Sequence, residues 1–106
     1  MACLETGQNF LDLGCGDGRL VALAMRNYSK VNGIDITDKR LEEARDRCVT
    51  SGRPDQIGQF LAVNLNEPFP FPDASVDAIA AISVLEHVFD VYAFVRECNK
   101  ILRSNG

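Results

Sequence analysis

The chain is 106 residues long and 46% hydrophobic, enough apolar material for one compact core and a single domain. Its formal charge of -4 and pI near 4.8, with Lys and Arg scattered along the chain, give no basic footprint for a phosphate backbone, so no nucleic-acid partner is expected. Apolar stretches break well short of the ~20 residues that cross a bilayer, which predicts a cytoplasmic protein with no membrane segment.

Asn9 to Leu13 (NFLDL) is a short apolar run that stops at a glycine cluster, the pattern of a buried strand. Gly14 to Gly18 then makes a tight turn. Arg19 to Tyr28, with Leu20, Leu23 and Ala24 on one face, predicts a helix opening straight out of it. Val31 to Asp35 predicts a second strand. Thr37 and Asp38 are good starters for a second helix with an inner stripe of Leu41, Ala44 and Cys48, ended by Gly52 and Pro54. On its outer face Lys39 with Glu43, and Glu43 with Arg47, stand at ion-pair spacing. Ile57 to Val63 predicts a third strand. From Asn64 to Ser75, Pro68, Pro70 and Pro72 alternate with Phe69 and Phe71, which rules out ladder and helix and leaves a loop, with the two phenylalanines as core plugs. Val76 to Ile82 predicts a small, apolar fourth strand. Asp90 can cap a last helix whose Val91, Phe94, Val95, Cys98, Ile101 and Leu102 recur at three and four residues, with Asn105 and Gly106 as stop residues. Strands alternating with helices imply an α/β, doubly wound parallel sheet joined by right-handed crossovers. Cys3, Cys15, Cys48 and Cys98 fall in no C-x-x-C or zinc-ligand spacing, so reduced thiols and no metal site are expected.

In such a sheet a ligand sits at the carboxyl ends of the strands, beside the first strand, where Gly14-Cys15-Gly16-Asp17-Gly18 lies. Glycines there let the backbone turn sharply and a ligand approach closely. Asp35 ends the second strand about 20 residues further on, where a carboxylate can accept from a ribose diol. Together they predict an adenosine-type cofactor. The dinucleotide fingerprint G-x-G-x-x-G needs a third glycine where this chain has Arg19, and a pyrophosphate at the helix start would meet Asp12 and Asp17. Those acids suit a cationic ligand, and S-adenosylmethionine carries a sulfonium and an ammonium and no phosphate.

Leu11 to Gly18 (LDLGCGDG), Gly33-Ile34-Asp35, Asn64 to Asp77 (NLNEPFPFPDASVD) and Val84 to Val88 (VLEHV) resemble, in order and spacing, the class I, Rossmann-like S-adenosylmethionine-dependent methyltransferases of small-molecule type. The resemblance implies that Asp12, Gly14 and Gly16 surround the methionine end of the cofactor, with Cys15 and Gly18 of the same turn also cofactor-binding, that Asp35 holds the ribose and that Ile36 flanks the adenine. It further implies that Asn64, where the family usually has Asp, accepts from the adenine amino group through its carbonyl, and that Leu65 sets its backbone against the ring. Ser83, Glu86 and His87 follow the fourth strand, where the family faces its acceptor. Ser83 counts among the cofactor-binding candidates, and Glu86 and His87 among the catalytic ones. Some relatives bind a divalent metal through E-x-x-E-H, but Ser83 replaces the first Glu, and no metal is expected.

Plainer roles stand beside these. Asp12 can cap the turn, Asp35 can be a surface acid, and a lone histidine is commonly a cap or packing residue. The resemblance implies a seven-strand sheet of order 3-2-1-4-5-7-6, of which this chain supplies four strands ordered 3-2-1-4, a partial sheet with flanking helices. The expected function is methyl transfer to a small-molecule acceptor. A non-catalytic cofactor-binding module and a nicotinamide-dinucleotide-binding fragment are the alternatives. The outer edge of the fourth strand, apolar and without Lys or Pro, predicts a homo-oligomer.

Overall fold

The computed structural model describes residues 8–81 and 88–103. The elements are β1 (Asn9–Leu13), α1 (Arg19–Ala24), β2 (Lys30–Asp35), α2 (Asp38–Ser51), a 3-10 turn (Pro54–Gln56), β3 (Ile57–Ala62), β4 (Ala78–Ala80) and α3 (Val91–Ile101). The strands form one sheet of order β3-β2-β1-β4, all parallel, as predicted.

Alternation along the strands divides the interior into two layers. Phe10 and Val31 face α1 and α2, where they pack with Val21, Leu41, Ala44 and Cys48. Leu11, Leu13 and Ile34 face the other way, against Phe69, Phe94 and Ile101. Each of these fully buried aliphatic side chains contributes roughly 1.5–3 kcal/mol of transfer free energy. Phe69 meets Phe94 edge-on, with ring centroids 5.8 Å apart, and Phe71 packs beside them, so both phenylalanines of the proline-rich loop plug the core. Asn32 is a buried polar residue in the middle of β2. It stands where the β2–β3 register shifts, and its side chain stitches the gap by donating to Phe10 O at 2.9 Å and accepting from Gln59 N at 2.9 Å.

Three expectations are corrected. The first helix ends at Ala24 rather than Tyr28, and its buried residues are Val21, Ala22 and Ala24, with Leu23 half exposed. Where α1 meets α2, Gly18 lies against the Ala44 backbone, and Val21, Ala22 and Ala24 rather than Leu23 turn into the core with it. Neither ion pair expected on the outer face of α2 forms among the described residues; Arg47 turns instead to Asp17, donating from Nε to Asp17 O at 3.1 Å. The fourth strand is short. Val76 makes a parallel bridge to Leu102 on its outer side, Asp77 Oδ2 accepts from Asn9 N at 2.6 Å, and only Ala78–Ala80 form a regular ladder with β1. Leu102 accordingly leaves the helix. Asp90 caps α3 as predicted, accepting from Ala93 N at 3.1 Å. Ile82, Asn105 and Gly106 lie outside the described residues, as does Cys3. No helix among the described residues is long and apolar enough to cross a membrane.

Candidate functional site

The carboxyl ends of β1 and β2 lie side by side, with Asp12 in register with Gly33 and Leu13 with Ile34. Asp12 and Asp35 therefore sit on the same sheet face at neighbouring strand ends. Asp12 is only 3% exposed, and its carboxylate has no hydrogen-bond or ion-pair partner among the described residues. Burial, and secondarily the Asp35 charge, push its carboxyl up to about 7. Neither Asp12 nor Asp35 has an ion-pair partner among the described residues, so this strand end is electronegative.

From Leu13 the chain turns through three glycines at positive φ: Gly14 at 73°, Gly16 at 56° and Gly18 at 88°. Four of the five backbone donors of the turn are engaged within the fold. Gly14 N and Cys15 N both donate to Ile34 O, at 2.7 and 2.9 Å, and Gly18 N donates to Cys15 O at 3.0 Å. Gly16 N donates to Asp35 Oδ2 at 2.9 Å, while Asp35 Oδ1 accepts from Ile36 N at 2.8 Å and Thr37 N at 3.3 Å. Asp35 thus ties the turn to the β2–α2 junction, and of the roughly four acceptor positions of a carboxylate, one on Oδ2 remains open.

Two glycines of the turn have distinct uses. A Cβ on Gly16 would meet nothing nearer than the flexible end of Arg40, Nη1 at 3.4 Å, so no backbone or core atom crowds the space above Gly16. A Cβ on Gly18 would lie 2.5 Å from Ala44 Cα, so this buried glycine exists for helix packing rather than for a ligand. Cys15 also turns inward. Its Sγ faces Gly33, and burial, with the charges of Asp12 and Asp35, pushes its thiol up to about 12. Asp17 is neutralised locally by Arg19 at 3.1 Å and Arg47 at 3.9 Å, and its Oδ1 accepts from Arg19 N at the start of α1. The acids left to meet a ligand are Asp12 and Asp35.

Beyond the turn, Ile36 projects into solvent at 69% exposure. Asn64 is exposed at the end of β3, and its Oδ1 is occupied by Asn66, accepting from the backbone N at 2.9 Å and from Nδ2 at 3.1 Å. Its expected acceptor atom is therefore engaged in a local turn. Leu65 is half-buried against the second core layer. Beside it a cavity of about 260 Å³ opens between Leu65–Pro68 and the start of α3, where Phe89 N donates to Asn66 Oδ1 at 2.8 Å. Ser83, Glu86 and His87 lie outside the described residues. The structure thus gathers Asp12, Gly14, Gly16, Asp35 and Ile36 at one sheet end. Arg40 joins them there, missed by the sequence because an exposed arginine in a first helical turn carries no motif.

A family model described as a methyltransferase domain matches residues 11–106. The 27-O-demethylrifamycin SV methyltransferase of Amycolatopsis mediterranei is 35% identical over 107 residues, covering 100% of this chain and 39% of that protein. The ubiquinone biosynthesis O-methyltransferase of Idiomarina loihiensis is 33% identical over 100 residues, covering 94% of this chain and 40% of that protein. Among solved structures, an S-adenosylmethionine-dependent methyltransferase from Mesorhizobium loti superposes with a TM-score of 0.78 at 28% identity, over 92% of this chain and 42% of that one. The chain spans about two-fifths of the length of the curated relatives it matches. It belongs to the methyltransferase domain family, in its class I, Rossmann-like, S-adenosylmethionine-dependent form.

Proposed function

We propose that this chain carries the cofactor-binding half of an enzyme that transfers a methyl group from S-adenosylmethionine to a small-molecule acceptor in the cytoplasm. The observation that carries the reading is the polarity of the site. The amides of Gly14, Cys15, Gly16 and Gly18 are engaged internally, while Asp12 is buried without a partner among the described residues. A pyrophosphate would find only the Asp17 amide unengaged in the turn among the described residues, whereas an ammonium or sulfonium finds a carboxylate.

In this reading Asp12, Gly14 and Gly16 border the methionine end. The open lone pair of Asp35 accepts from a ribose hydroxyl, and Ile36 and Leu65 sandwich the adenine. Asn64 would face the adenine edge after releasing Asn66. Ser83 completes the cofactor side, and Glu86 and His87 face the acceptor. When bound, the cofactor supplies an electrophilic methyl group on sulfur, which is displaced in line. The protein's own contribution is orientation. The family of the relatives named above, with their rifamycin and ubiquinone-pathway names, supports a small-molecule acceptor. We also place a second copy of the chain at the outer edge of β4, where Ala78–Ala80 have no outer neighbour among the described residues.

Amide chemical-shift mapping with S-adenosylhomocysteine tests the site. Shifts concentrated at Gly14, Gly16, Asp35, Ile36 and Leu65 are expected. Shifts confined to the α1–α2 surface would overturn the assignment.

A further inference from the structure

The cofactor read into this site is not only a cation: its methionine end also carries a carboxylate, which must come to rest near Asp12 and Asp35. The usual backbone answer to such an anion is reduced to one amide, that of Asp17, because those of Gly14, Cys15, Gly16 and Gly18 are already engaged. A side-chain cation would supply the countercharge that one amide lacks. The other arginines nearby are committed elsewhere, Arg19 and Arg47 to Asp17 and Arg45 over the ring of Phe60 at 5.7 Å. Arg40 differs. It stands in the first turn of α2, reaches back over the glycine turn to within 3.4 Å of the Gly16 Cβ position, and makes no hydrogen bond or ion pair among the described residues. A guanidinium unpaired among the described residues and held beside Gly16, with a fork that matches a carboxylate, has an anionic ligand as its natural counterpart.

We propose that Arg40 is the anion-recognising residue of the site and binds the amino-acid carboxylate of the cofactor, offsetting that group's repulsion by Asp12 and Asp35. The inference rests on the cofactor reading above. It assigns the two ends of one zwitterion to opposite walls, ammonium to Asp12 and carboxylate to Arg40.

The test is calorimetric titration of the wild-type chain, Arg40→Gln and Arg40→Lys with S-adenosylhomocysteine and with its decarboxylated analogue, which keeps adenosine, thioether and amine. Arg40 is exposed and unpaired, so both variants should retain the wild-type melting temperature. Arg40→Gln is expected to weaken S-adenosylhomocysteine about five- to tenfold while leaving the decarboxylated analogue unchanged, with Arg40→Lys intermediate. Equal weakening of both ligands, no change in either, or tightening of either would overturn the proposal. A wild-type chain that binds neither ligand would overturn the cofactor reading itself, an outcome separate from any effect of the Arg40 variants.

Discussion

Asp12 is the residue whose environment departs furthest from that of a surface acid. Its carboxyl is raised from an ordinary 3.8 to about 7, chiefly by burial. Between those values the unfolded chain has released the proton and the folded chain still holds it. Folded stability therefore falls as pH rises through this window and is level above it. Asp12→Asn has no proton to lose. Its stability relative to wild type should improve by about 1.4 kcal/mol per pH unit across the window, on the order of 2–3 kcal/mol between pH 5 and pH 7. Urea unfolding at the two pH values measures this, and parallel pH curves for the two proteins would contradict it. Asp35 has two tasks, since it also holds the amides of Gly16, Ile36 and Thr37. Asp35→Ala should weaken S-adenosylhomocysteine binding by about 1.5–3 kcal/mol and lower the melting temperature as well. A variant with unchanged affinity would remove Asp35 from the ligand.

At the scale of elements, the α1–α2 contact depends on Gly18. Adding a methyl group there drives a Cβ into the Ala44 backbone at a φ of 88°, so Gly18→Ala should cost several kcal/mol of stability. Gly16→Ala, whose Cβ would meet only the flexible end of Arg40, should cost about 1–2 kcal/mol, from its φ of 56°. Denaturation of both variants compares them directly; equal losses would mean that helix packing is not what Gly18 serves. The same contact shows where the sequence was legible. The strands were readable because buried parallel strands are short apolar runs with sharp ends, and α2 because Leu41, Ala44 and Cys48 form a full helical stripe. The face of α1 was not, since six residues give too little periodicity to distinguish Leu23, which is exposed, from Val21 and Ala22, which are buried. In the site, Asp12, Gly14, Gly16 and Asp35 follow from the motif. The inward turn of Cys15, the neutralisation of Asp17 and the capture of the Asn64 carbonyl by Asn66 depend on tertiary neighbours that no spacing encodes.

For the whole molecule, a radius of gyration of 13.0 Å is that of a compact chain of about 100 residues, so this part of the domain closes a core of its own. Its weak point is the outer edge of β4. The Val76–Leu102 bridge covers only the amino-terminal end, and Ala78–Ala80 beyond it are half-buried and bare of charge. Light scattering on a size-exclusion column at micromolar concentration should give a dimer or larger species, and an isolated soluble monomer would contradict pairing at this edge. The central claim concerns the ligand, for which the fold alone would admit a dinucleotide. Calorimetric titration of the folded chain with S-adenosylhomocysteine, NAD and NADP decides it. One molecule of S-adenosylhomocysteine is expected to bind per chain, with no heat of binding from either dinucleotide. Saturable binding of NAD or NADP in the absence of binding to S-adenosylhomocysteine would contradict it.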